Sequence, residues 1–193
     1  MGPELLFVVG LCGLTSWLAR RQERRRRPLA PMSTLANLLA LSPGDVVVQV
    51  PERSDWVIQD SYRLKAGVWR ALYRLDGGAG RGASALLLVA ASGHPDDDAL
   101  WLLQALPARA LALTGDAAPQ TLEHQGVRHS LGGRFRTEAQ TAAGGVRRLL
   151  LLCYRGPGDH RLLALRWDGE SDAQLLAGRA LAPSAVDVLP LKR

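Results

Sequence analysis

The sequence predicts a mainly β protein: a compact antiparallel domain, barrel or sandwich in type, preceded by an N-terminal transmembrane helix. Three stretches carry that expectation. Val146–Trp167 reads as two strands joined by a tight turn, with Leu149 to Tyr154 an unbroken apolar run and Leu163, Leu165 and Trp167 on one face at period two. Val68–Leu75 alternates, with Trp69, Ala71, Tyr73 and Leu75 on one side and Arg70 and Arg74 on the other. Residues 5–19 carry no charge and stop at a block of arginines.

That first apolar run, LLFVVGLCGLTSWLA, gives the first division of the chain: residues 1–19 as a membrane anchor, 20–31 as a basic linker, and 32–193 as a β-rich cytoplasmic domain. Fifteen helical residues rise only about 22 Å against a hydrocarbon core of about 30 Å, so the span needs Met1 to Glu4 and snorkelling arginines to cross. Arg20, Arg21, Arg24, Arg25, Arg26 and Arg27 then act as the membrane flank: they mark the cytoplasmic side of a bacterial inner membrane and suit contact with anionic lipid. A secretory signal fits less well, because Glu4 occupies the basic n-region and Ser-Trp-Leu-Ala precedes polyarginine. A lipoprotein signal fits no better, with Leu11 before Cys12. The remaining alternative is a soluble protein that starts at Met32.

After the linker, Ser33 is placed to cap a short helix with Leu35, Leu38 and Leu39 on one side, ending at Ser42-Pro43. Strands are expected at Val46–Val50, Trp56–Gln59, Val68–Leu75 and Ser84–Ala91, with the loop DGGAGRG from Asp76 to Gly82 as a hairpin tip. Leu100–Leu106 fits strand or helix. Val127–Leu131, Arg134–Thr141, the hairpin turning at Gly156-Pro157-Gly158-Asp159, and a short strand near Val186–Leu189 complete the chain. The units Trp69–Val89 and Leu149–Trp167 echo one another as strand, glycine-rich turn, strand, with Tyr73 and Tyr154 in like places. Two similar half-barrels would produce that echo, as would ordinary hairpin grammar.

The 193-residue chain has a net charge of +6, but the charge is concentrated at its start. Residues 1–31 hold six arginines against Glu4 and Glu23, which leaves 18 basic and 16 acidic residues for the rest. A near-neutral domain argues against a nucleic-acid surface. Only Lys65 and Lys192 are lysines, as a GC-rich bacterial genome would give. The two cysteines, Cys12 and Cys153, lie on opposite sides of the expected membrane boundary and make neither a disulfide framework nor a thiolate metal site.

The residues that could carry chemistry are few, and each has a plainer explanation. His94 with Asp96, Asp97 and Asp98 could hold a hard cation or act as acid and base, yet Ser-Gly-His-Pro is the grammar of a solvated turn. His124 and His129, five apart, suit no shared face and are expected at the surface. Cys153 reads as a small core residue rather than a nucleophile. No catalytic residue, cofactor site or metal site is assigned. Trp56, Trp69, Trp101 and Trp167 are mostly core by expectation, with one or two free to form a binding face for a protein partner.

The order of short motifs also resembles a family. Leu41-Ser-Pro-Gly-Asp-Val46, Trp69 with Tyr73-x-Leu75-Asp76, Gly132-Gly-Arg-Phe135, Tyr154, Trp167-Asp-Gly169, and Gly178 before Leu181-Ala-Pro183 look like the bacterial domain-of-unknown-function family four-one-seven-eight over about residues 40–190. The resemblance implies a β-rich domain with no assigned activity, encoded near membrane proteins and spermidine-synthase-like genes. It implies an accessory role in a membrane or polyamine-related system and transfers no site residue. The function expected is therefore that of a membrane-tethered, non-catalytic binding or scaffolding domain. The alternative is a small-molecule-binding or enzymatic β domain that uses the His94/Asp96–Asp98 loop.

Overall fold

The computed structural model describes residues 35–50, 52, 54–77, 83–91, 100–112 and 118–191, with the backbone alone at residue 83 and residues 107–112. Residues 32–193 form one compact unit. The expected anchor, its arginine flank, Cys12 and Ser33 lie outside the described residues, as does the His94–Asp98 loop. Among the described residues no helix is long and apolar enough to cross a membrane.

Among the described residues of this unit a short helix, α1 (Leu35–Leu39), is followed by eleven strands: β1 (Val46–Gln49), β2 (Ser54–Ala66), β3 (Trp69–Gly77), β4 (Ala83–Ala90), β5 (Leu100–Ala112), β6 (Thr121–His124), β7 (Val127–Thr141), β8 (Val146–Arg155), β9 (His160–Trp167), β10 (Asp172–Leu181) and β11 (Val186–Leu189). All pairings are antiparallel. The sheet order is β11-β1-β2-β3-β4-β5-β10-β9-β8-β7-β6, and an added pairing of β2 with β7 closes eight of these strands into a barrel. Leu100–Leu106 is thus the first half of a strand. The two segments expected at Val127–Leu131 and Arg134–Thr141 are one strand, interrupted by a bulge between Leu131 and Gly133.

The halves expected from the Tyr73/Tyr154 echo are visible in the topology. β1 to β5 run as one five-stranded meander and β6 to β10 as another. The meanders join like strand to like strand, β5 to β10 and β2 to β7. Tyr73 and Tyr154 occupy matching places on β3 and β8, both fully buried. The Tyr154 hydroxyl donates to the carbonyl of Pro119 at 3.1 Å, in the segment leading into β6. The Tyr73 hydroxyl hydrogen-bonds the backbone of Leu41, in the segment leading into β1, and Arg63 Nη1 donates to it at 3.4 Å. Burial pushes both phenols above their ordinary pKa.

Three apolar layers follow from this geometry. Leu64, Trp69, Leu72, Leu88, Trp101, Leu151, Cys153, Leu163 and Leu176 fill the barrel, as the bore of eight strands allows. Outside β3 and β4, Leu38 and Leu41 from α1 and its exit pack with Trp56, Tyr73 and Leu87. Outside β8 and β9, Leu122, Leu131 and Ala118 pack with Leu150, Leu152, Tyr154 and Leu162. The unbroken run Leu149–Tyr154 is explained here: one face of β8 looks into the barrel and the other lies under the second outer layer, so both are apolar.

The β5–β10 join depends on one glycine. A Cβ on Gly178 would stand 2.0 Å from the Leu102 carbonyl oxygen, a backbone atom that cannot swing aside. Gly178→Ala should therefore lower stability by about 2 kcal/mol or more in urea unfolding, because it forces the seam apart. Tyr154→Phe should cost about 1 kcal/mol in the same measurement, the usual loss for one buried hydrogen bond.

Candidate binding surface

Of the four tryptophans among the described residues, three are buried. Trp56 lies in the outer layer under α1, while Trp69 and Trp101 meet edge to face inside the barrel with centroids 4.9 Å apart. The Trp69 indole also hydrogen-bonds the Cys153 thiol, whose pKa burial pushes up to about 12, so this sulfur is a core atom and not a nucleophile. Arg161 caps that end of the barrel. Its guanidinium lies 5.6 Å from the Trp101 ring and Nη1 donates to the Gly158 and His160 carbonyls at 2.9 and 2.7 Å.

Trp167, the last residue of β9, is different: it lies at the opposite barrel end and is half-buried. Its ring packs against Tyr62 of β2 with centroids 5.1 Å apart and planes inclined at 49°. Arg147 of β8 lies over the same indole, its guanidinium carbon 4.4 Å from the ring centroid. Three strands thus build one shelf. They meet because β9 pairs with β8 through Leu149–Trp167, while β2 arrives through its closing pair Tyr62–Thr141.

Arg147 also lines an open notch of about 420 Å³ with Glu138, Val146, Arg148 and Asp168. Arg148 Nε sits 3.5 Å from Glu138 Oε1, a solvent-exposed ion pair worth little in stability. Val146 is 58% exposed, a large aliphatic side chain with its surface in water. The turn that follows β9 is pinned from both sides: the Asp168 amide donates to the Arg148 carbonyl at 2.9 Å and the Trp167 amide to Glu170 Oε2 at 3.4 Å. A guanidinium stacked on an indole keeps its N–H edge for other acceptors. The surface therefore offers an aromatic platform, an apolar spot and donors suited to a carboxylate or carbonyl. It contains no nucleophile–base pair.

The histidines depart from expectation. His129 is only 2% exposed, set beside Gly156 at the tip of the β8–β9 hairpin, with Nδ1 3.0 Å from the Val127 carbonyl. The His160 ring lies 6.5 Å away. Spacing along the chain did not reveal this, because β6 and β7 form a hairpin in which Leu122, not His124, stands opposite His129. Among the described residues no group of three His, Cys, Asp or Glu side chains could hold a metal ion.

Comparison with family models, with curated proteins and with solved structures finds no match.

Burial lowers the pKa of His129 below its ordinary value, with His160, His124 and Arg161 adding repulsion. A depressed histidine favours the neutral form in the fold. Its contribution is complete above the unfolded pKa of about 6.5 and is lost as pH falls through the lower folded value. Wild type should therefore lose thermal stability between pH 7.5 and 5, and His129→Leu should flatten that slope in melting experiments.

Proposed function

We propose that this protein is a non-catalytic binding or scaffolding module, tethered to the bacterial inner membrane by residues 1–19, with its β domain in the cytoplasm. On this reading the domain docks a protein partner through the barrel end that carries Trp167. One observation carries the proposal: an indole held half-exposed between Tyr62 and the Arg147 guanidinium, next to an open notch containing exposed Val146. Tryptophan and arginine packed together are the residue types that dominate protein interfaces, and an adjoining aliphatic spot completes the usual mixture.

The tether supports the same reading from the other direction. A domain confined to a membrane meets membrane-bound partners at raised effective concentration, so a docking surface of modest size is sufficient. The arginine block at residues 20–27 supplies both orientation and attraction to anionic lipid. The resemblance to family four-one-seven-eight adds the expectation that the partner belongs to a membrane or polyamine-related system.

Crosslinking and affinity capture from native membranes test the proposal. Trp167→Ala and Arg147→Glu should each reduce capture of the wild-type partner by at least about thirtyfold, the effect of losing about 2 kcal/mol at a hot spot; Arg147→Glu should leave the melting temperature unchanged, while Trp167→Ala lowers it without unfolding the domain. A chain beginning at Met32 should capture less than the intact chain. Equal capture by all four forms would contradict the proposal.

A further inference from the structure

The sheet ends at two edges, β11 and β6, and the relation between the two meanders makes those ends unequal. β6 is the counterpart of β1, since each is the first strand of its meander and pairs with the second. β1 is covered on its far side by β11, in the four antiparallel pairs from Val46–Leu189 to Gln49–Val186. The corresponding side of β6 is filled by no strand among the described residues.

The backbone of β6 faces that side in a defined way. Gln125 and Gly126, with φ of 51° and 74°, form the two-residue turn that makes His124 and Val127 a hydrogen-bonded pair. The Leu131 amide donates to the Gln120 carbonyl, which fixes the same parity at the other end of the strand. Gln120, Leu122 and His124 therefore direct their backbone groups to β7, and Thr121 and Glu123 direct theirs away from it. His124 Nδ1, on the same strand, is buried without a hydrogen-bond partner.

The other edge is blunted at both ends and this one at its start alone. β11 is preceded by the 3₁₀ turn Pro183–Ala185 and followed at once by Pro190, both of which oppose extension of the ladder. β6 follows Pro119, but from Thr121 to Thr141 there is neither a proline nor a lysine.

We infer that the free edge of β6 is a strand-addition site that takes an extended segment of a partner protein, antiparallel, with apolar side chains two residues apart. β11 shows the apolar pair at the equivalent place: Val186 is buried and Val188 partly buried against the outer layer, with Asp187, also buried, between them. The added segment would set its apolar residues against Leu122 and so extend the layer outside β8 and β9. A second copy cannot supply its own β11 without stripping β1. The site is separate from the Trp167 shelf, so either can fail without the other.

A fluorescent peptide with the sequence of residues 183–189 serves as probe against the full-length chain. It should bind and shift the Thr121 and Glu123 amide resonances. Glu123→Pro removes an outward N–H but no bond to β7, and should weaken binding at least tenfold with the melting temperature unchanged. N-methylating alternate peptide amides gives a check independent of any protein variant: one set of positions should abolish binding and the other leave it intact. Absence of binding at millimolar peptide, equal binding by Glu123→Pro, or equal effects of both methylation sets would overturn the inference. So would a change confined to oligomeric state, which would assign the edge to β6–β6 pairing between copies.

Discussion

Three residue pairs hold the barrel shut. Tyr62–Thr141, Arg63–Gln140 and Leu64–Ala139 join β2 to β7, whereas the opposite join of β5 to β10 extends over nine pairs with one register shift. Closure matters because an open eight-stranded sheet would expose the face carrying Leu72, Leu88, Trp101, Leu151 and Leu163. Burying those side chains is the main source of stability available to a β domain with so little helix. A closed barrel also removes edges from the strands that form it, which among the described residues leaves β6 and β11 to be managed.

The short seam also makes the binding surface. Tyr62 stands at the seam, and its ring reaches Trp167 only because β2 is drawn against β7. On the other side of the same indole, Arg147 comes from the exposed first residues of β8, before the strand passes beneath the outer layer. A surface assembled from β2, β8 and β9 depends on the whole circuit of strands. Opening at β2–β7 would separate Tyr62 from Trp167 while leaving each hairpin intact.

Much of the fold was legible because its elements are local. The alternation in Val68–Leu75, the apolar run from Leu149 and the turn at Gly156–Asp159 each encode a strand or hairpin without reference to distant residues, and all three elements occur in the structure; the expected face does not hold throughout, because a bulge between Trp69 and Ala71 turns Trp69 into the barrel with Leu72 while Ala71, Tyr73 and Leu75 lie in the outer layer. Tyr73 and Tyr154 signalled the internal repeat for a physical reason: each ties a strand to the segment that leads into its own meander. β10, which completes the barrel, escaped notice because Gln174, Gly178 and Arg179 break its period, and its bulge and close approach to Leu102 are tertiary features. The site was less legible. Burial of Trp56, Trp69 and Trp101 follows from closure, and burial of His129 from the position of a hairpin tip, neither of which sequence spacing encodes. Trp167 was visible as an aromatic at a strand end, but its contacts with Tyr62 and Arg147 join residues 105 and 20 positions away.

The most direct test is the seam itself, read by nuclear Overhauser effects in the full-length protein. The account predicts cross-strand backbone contacts between Arg63 and Gln140 and between Leu64 and Ala139, together with ring contacts between Tyr62 and Trp167. Intact β2–β3 and β7–β8 contacts without any between β2 and β7 would mean an open sheet or a sandwich, and would contradict both the barrel and the surface built upon it.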